Sequence, residues 1–405
     1  MNLTSGLDPQ SLTSDPTNMS VWDDLDLLLD SPPGTLVVAS SARGTVKASA
    51  NFKIDEDVKA LRKAIEGAGT TEETLVEVLT NRSNAQRLLI SAAYQKAAGR
   101  SLIDDLEGDT RGDFEDVLVA MVTPPDLYDC REVIGAMKSD HVGVVLDPFW
   151  AWSWTRSGPG PVLGLVLDPF WAWSWTRSGL WSRPVEGAGT SECVLTEIFA
   201  SRSNKQMATI REAYLAETGK KLTVDLLTEV SGEYGQALVL LAEGKRSDSA
   251  PADAAKAKAD AKALYEAGEK KWGTDEMKFV EILCNSSVPQ LRLTMVEYKT
   301  LSNKSLQDSI EGEMSGSLED LLVAIVKCAK STSTYLAERL YKAMKGPGTT
   351  ESTLTRILVS RSELDLLDIR AEYKKLFGTS IYSDLLSEVS GEYGECLKRL
   401  CGGED

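Results

Sequence analysis

One constellation of residues occurs four times at fixed internal spacing, and a chain built this way must fold as four copies of one unit. The origins are the threonines of short glycine-rich turns, Thr70, Thr190, Thr274 and Thr349. A serine follows 13 positions on from each (Ser83, Ser203, Ser287, Ser362), and an amide or acid three beyond it (Gln86, Gln206, Gln290, Asp365). At plus 24 stands a tyrosine (Tyr94, Tyr214, Tyr298, Tyr373), at plus 39 an acid (Asp109, Glu229, Glu313, Glu388), and at plus 42 a glycine (Gly112, Gly232, Gly316, Gly391).

Between these marks the apolar residues keep helical spacing, as in AQRLLISAAY, FEDVLVAMV and LEDLLVAIV, and no alternating strand pattern competes. The fold class read from this is all-α, several short helices per copy with apolar faces packed within and between copies. The serine with its third residue reads as a capping box that starts a helix in every copy. Thr70 with Glu72 and Glu73, and Thr349 with Glu351, read as a cap and acids at a helix start, where the dipole favours them. The origins lie 120, 84 and 75 residues apart, and removing residues 139–186, 48 in number, brings the first gap to 72. The expected division is a tail over 1–46 and repeats over 47–122, 123–244 interrupted by 139–186, 254–328 and 329–405.

The turns read GAGT, GAGT, KWGT and GPGT. Their glycines let successive carbonyl oxygens converge, and a carboxylate 39 residues later returns through a helical hairpin to join them. Such hard oxygen ligands suit calcium. A site of this kind carries little charge, so it binds calcium weakly alone and better when a lipid phosphate oxygen fills an open position. A single glycine turn is more often a plain connector; four turns, each tied to an acid at constant distance, favour the metal.

Charge points the same way. Lysine and arginine total 44 against 61 acids, a formal charge of −17, which disfavours a nucleic-acid partner and repels an anionic membrane unless a cation intervenes. The single histidine, His141, leaves no usable catalytic constellation, so an enzyme is not expected. The six cysteines form no CxxC pair and read as small core residues of a reducing compartment. The N-terminal MNLTSGLDPQ lacks a signal peptide pattern, and the expected location is cytoplasmic.

The glycine-rich turn, the acid and the S-G that follows it resemble the annexin repeat, with its K/R-G-x-G-T turn, over residues 47–405 apart from the insertion. The closing CGGED and the segment SRSELDLLDIR are similar to vertebrate annexins. The resemblance implies four repeats of five helices in a curved disc, calcium in the turns of its convex face, and reversible binding to phosphatidylserine-rich plasma and vesicle membranes as calcium rises. Roles in membrane organisation, vesicle trafficking or phospholipase inhibition are associations of the family. Carried over position by position, the implied calcium ligands are the carbonyls of Ile65, Gly67 and Gly69 with Asp109. In the second repeat they are Val185, Gly187 and Gly189 with Glu229, in the third Glu269, Lys271 and Gly273 with Glu313, and in the fourth Met344, Gly346 and Gly348 with Glu388. Departures are Glu66 and Glu186 where the family prefers a base, and Asp109 where a longer glutamate is usual. The arginine usual at plus 12 is Arg82, Arg202 and Arg361, read as partners of buried groups, with Ser286 in its place in repeat three.

The string VLDPFWAWSWTRSG occupies both 145–158 and 166–179, and seven of the nine tryptophans lie from Trp150 to Trp181. It reads either as an aromatic loop for the water–lipid boundary or as a tandem duplication without a role of its own; it is too broken by Asp, Pro, Arg and Gly to span a bilayer. In the tail, Trp22, Leu25, Leu28 and Leu29 share a helical face, which reads as a partner-protein segment or a marginal helix. The rival to calcium-dependent membrane binding is a helical protein-interaction scaffold whose membrane face the insertion impairs.

Overall fold

The computed structural model describes residues 43–67, 71–137, 190–246, 252–270, 273–346 and 348–404. The described residues contain helices and no strand. Repeat one runs through α1 (Ile54–Glu66), α2 (Glu72–Thr80), α3 (Asn84–Ala98), α4 (Leu102–Asp109) and α5 (Gly112–Val122). Repeat two is α6 (Pro125–Met137), α7 (Glu192–Ser201), α8 (Asn204–Thr218), α9 (Leu222–Glu229) and α10 (Gly232–Glu243). Repeat three is α11 (Ala254–Ala267), α12 (Glu276–Asn285), α13 (Val288–Ser302), α14 (Leu306–Glu313) and the first part of α15 (Ser317–Lys345). The long helix breaks at Ser331 (φ −163°, ψ 111°), and its second part opens repeat four, followed by α16 (Glu351–Arg361), α17 (Leu366–Phe377), α18 (Ile381–Glu388) and α19 (Gly391–Cys401). Each repeat therefore has five helices.

Each recurring column has a physical reason. Ser83 and Ser203 accept the amides of Gln86 and Gln206, and those glutamines answer at the serine amides, so α3 and α8 begin on complete capping boxes. Gln86 and Gln290 also clasp the backbone of Ser49 and Asp253, fixing the segment ahead of the repeat's first helix. Three of the four plus-24 tyrosines donate to an aspartate 11 residues on: Tyr94 to Asp105 (2.7 Å), Tyr214 to Asp225 (2.7 Å) and Tyr373 to Asp384 (2.5 Å). Burial, and then the aspartate, raise these phenols well above the ordinary tyrosine range. The plus-42 glycines all take positive φ, from 64° at Gly112 to 79° at Gly316, a backbone that side chains resist.

The fourth capping box does not form. Ser362 is still in the right-handed helical region and α17 starts four residues later, at Leu366. Arg361 takes both oxygens of Asp365 (2.8 and 2.6 Å), which removes the acid from the cap. The Ser362 carbonyl meanwhile accepts the amides of Thr45 and Val46. Residues 43–46 are thus a strap across repeat four: Thr45 also donates to the Leu400 carbonyl (2.6 Å), Arg43 pairs with Asp368, and a Cβ on Gly44 would lie 2.6 Å from the Glu363 backbone, so only glycine passes there.

A continuous apolar core runs through all four repeats. Repeat four packs on repeat one through α16 against α5 and α19 against α2, while α10 packs on α12. At the centre a buried ionic cluster joins repeats two and four. Arg356 holds Glu197 (2.7 Å) and Glu132 (2.8 Å), Arg339 adds a second bond to Glu197 (3.2 Å), and Arg202 grips Asp129. With Arg82 on Asp57, the plus-12 arginines of repeats one and two are partners of buried acids, as expected from the sequence. Five of the cysteines are buried core residues and Cys193 is exposed.

Candidate calcium-binding turns

Each candidate turn leaves the C-terminus of its repeat's first helix and is closed by one backbone hydrogen bond. Thr71 N–H donates to the Ala64 carbonyl (3.0 Å), Thr350 to Ala343 (2.9 Å), Asp275 to Ala267 (2.9 Å) and Ser191 to Ala136 (2.8 Å). The bond spans seven residues in repeats one and four, eight in repeat three and 55 in repeat two, 48 more than seven. The turn of repeat two thus closes as the others do, although more residues separate α6 from α7 in the chain. Those residues, including the duplicated tryptophan string, lie outside the described residues, as do the tail residues 1–42.

Of the carried-over ligands, Ile65 and Met344 sit in the last helical turn with buried side chains, which leaves their carbonyls as the groups that face the turn. Gly67 and Gly346 end their helices in extended backbone. Gly273 and Gly348, each just before the threonine, adopt φ of 85° and 101°, which aims the chain back across the helix end. The four acids hold equivalent places, Asp109, Glu229, Glu313 and Glu388 each being the last residue of the repeat's fourth helix. Gly69, Val185, Gly187, Gly189 and Lys271 lie outside the described residues.

In the two turns described most fully, the acid is brought to its turn. The Thr274 hydroxyl donates to the Glu313 carbonyl and carboxylate, both at 3.2 Å. In repeat four the Lys345 ammonium, next to Gly346, donates to Glu388 (2.9 Å) and pairs with Asp384 (3.3 Å). The expectation that the threonines cap the following helix is overturned where they are described. The N-caps are the next residues, Ser191, Asp275 and Thr350; only Asp275 caps with its side chain, and the Thr274 hydroxyl is spent on Glu313. Thr70 lies outside the described residues, and α2 begins from Thr71 without a side-chain cap.

The third turn carries one residue more than the first and fourth. Counted from the closing carbonyl, Gly268 takes the place of Ile65 and Met344, and Glu269 falls where Glu66 and Lys345 stand. The Glu269 carboxylate is engaged by Lys304 (2.8 and 2.9 Å) and by the Ser309 hydroxyl (3.0 Å). Hydrogen bonding from Lys304 holds this carboxyl below its usual range against a modest burial effect. Ser309 occupies the position of Asp105, Asp225 and Asp384, so in repeat three an acid from the turn replaces the acid of the fourth helix.

Among the described residues, no group of three or more His, Cys, Asp or Glu side chains gathers as a metal cluster. The donor set is a turn of carbonyls facing one carboxylate, hard oxygens without nitrogen or sulfur, and these residues fit calcium. The contacts of Lys345 and of the Thr274 hydroxyl with the plus-39 acids were not expected from the sequence. The spacing did mark both residues, since each belongs to the turn itself.

Comparison with known proteins agrees with this architecture. The annexin family model matches residues 56–121, 180–241, 259–325 and 335–400. Annexin A3 from Bos taurus is 45% identical over 363 residues, covering 90% of this chain and 98% of that protein. The solved structure of annexin III superposes with a TM-score of 0.76 at 45% identity, covering 90% of this chain and 98% of the other. A calcium-bound annexin (Sm)1 structure superposes at 0.67 with 28% identity, covering 89% and 93%. With the family model matched once in each five-helix repeat, and the plus-39 acid at the end of every fourth helix, the chain belongs to the annexin family, whose members bind phospholipid in a calcium-dependent manner.

Proposed function

We propose that this protein binds phosphatidylserine-containing membranes reversibly, with calcium bridging its carbonyl turns to lipid phosphate. The observation that carries the reading is the meeting of Glu313 and Glu388 with their own turns, through Thr274 and Lys345. A carboxylate and converging carbonyls supply part of a calcium shell, and phosphate oxygens complete it, so metal and membrane stabilise each other's binding. A net charge of −17 makes the metal necessary, because the chain alone is repelled by anionic lipid. No helix among the described residues is long and apolar enough to cross a membrane, which accords with attachment through surface turns. The chain acts here as a binding module and not as an enzyme. Vesicle trafficking and inhibition of a phospholipase would both follow from covering a bilayer surface.

The remaining ligand assignments belong to the same proposal: carbonyls of Gly67 and Gly69 with Asp109, of Gly187 and Gly189 with Glu229, and a third turn completed by Glu269 or Gly268, Lys271 and Gly273. The test is co-sedimentation with phosphatidylserine vesicles in calcium and then in chelator, against neutral lipid. Binding should appear with calcium and reverse with chelator. Asp109→Ala, Glu313→Ala and Glu388→Ala should each weaken it without lowering thermal stability. Unchanged binding in the triple variant would remove the site assignment, and no binding by the natural chain would return the scaffold reading.

A further inference from the structure

The acids of the third and fourth turns are held by different chemistry. Glu313 accepts a neutral hydroxyl from Thr274 at 3.2 Å, which orients the carboxylate, and among the described residues it forms no direct ion pair. Glu388 accepts the Lys345 ammonium at 2.9 Å, and the same ammonium lies 3.3 Å from Asp384, so a cation already sits on this carboxylate. The first residue beyond the buried Ile65 and Met344 positions decides this. It is Glu66 in repeat one and Lys345 in repeat four, and in the longer third turn it is Glu269. Glu66 is paired along its own helix by Arg62, and Glu269 by Lys304. In repeat four the basic group itself comes from the turn and sits on the acid that a cation would use.

We propose that Lys345 competes with calcium for Glu388, so that the third turn fills at lower calcium than the fourth. This rests on the calcium reading above. A divalent ion entering the fourth turn must displace the ammonium, and the pair is half-buried, Lys345 at 33% and Glu388 at 27% exposure, so the displacement has a cost that the hydroxyl of the third turn does not impose. The fourth turn is then the one whose loading depends most on lipid, because a phosphate near the turn gives the released ammonium a new partner. Membrane attachment would begin at the third turn and extend to the fourth as calcium rises.

The experiment is calorimetric titration of the full chain with calcium, free of lipid, for the natural protein and for Lys345→Met, Lys345→Arg, Glu388→Gln and Glu313→Gln. Glu388→Gln should delete a weaker class of site and Glu313→Gln a tighter one. Lys345→Met should tighten the weaker class by about threefold, the size expected for a partly exposed ion pair, and should do nothing when combined with Glu388→Gln. Lys345→Arg, which keeps the charge, should stay near the natural value. Loss of the tightest class in Glu388→Gln, or an unmoved or weakened affinity in Lys345→Met, would overturn the competition while leaving the sites standing. A titration indifferent to both Glu388→Gln and Glu313→Gln would instead remove the calcium reading on which the inference rests.

Discussion

The hydroxyl of Thr274 does two things at once, donating to the backbone carbonyl and to the carboxylate of the residue 39 positions on. By tying both groups to the turn it limits where Glu313 can point before a metal arrives, and ordering done in folding need not be repeated on binding. Thr274→Val keeps the shape and removes the donor. The calcium needed for half-maximal attachment to phosphatidylserine vesicles should rise about threefold, in line with the net worth of one hydrogen bond. Attachment at unchanged calcium would show that Glu313 is placed by its helix alone. The column of threonines was visible in the sequence, but its reason was not. Capping is what a threonine ahead of a helix usually does, and the competing partner lies half a repeat away, where only the folded hairpin brings it.

At the scale of elements, the third helix of each repeat ends on the same left-handed residue. It is Gly99, Gly219 and Gly378 in three repeats, with φ from 68° to 74°, and Asn303 in the other, with φ of 61°. Asparagine tolerates this region better than other side chains but still carries a Cβ that glycine lacks. Asn303→Gly should stabilise the chain by roughly 0.5 kcal/mol, the modest residue of removing that strain against the entropy of a freer unfolded glycine, seen as a higher urea midpoint. A lower midpoint would mean the Asn303 side chain has a partner worth more than the strain. The helices themselves were largely legible, because apolar periodicity and the serine and glutamine columns act within a few residues. What was not legible lies in contacts across the fold. The late start of α17 depends on Arg361 seizing Asp365 and on the strap at Thr45, more than 300 residues away in the chain, taking the Ser362 carbonyl. The extra residue of the third turn was equally hidden, since counting back from Thr274 and counting forward from α11 agree only when the turn length is known.

At the scale of the whole molecule, repeat four joins repeats one and two. The strap and α16 tie repeat four to repeat one, and Arg356 with Glu197 ties it to repeat two. Burial works against ionisation of Glu197, yet Arg356 and Arg339 outweigh it and hold the carboxyl below its usual range, whereas at Glu132 burial prevails and raises it. Removing one member would leave a buried charge uncompensated, which is why this centre constrains how repeats two and four meet. The packing of α6 and α7 explains how repeat two tolerates a long interruption. On either side of it the Ser191 N–H donates to the Ala136 carbonyl (2.8 Å), a closure held by helices α6 and α7, which pack on each other and on the rest of the core. Bringing two ends together costs entropy that grows with the logarithm of the segment between them, so 55 residues in place of seven should cost the fold about 2 kcal/mol. Deleting residues 139–186 restores the seven-residue spacing of repeats one and four and should raise stability by about that amount in urea unfolding, with calcium-dependent vesicle attachment retained. The sign is the informative part. A gain of this size means that the interruption adds only chain to be closed, which is the duplication reading. A loss means that its tryptophans bury surface against the repeats, because only contacts made in the folded state can outweigh a closure cost that deletion always relieves.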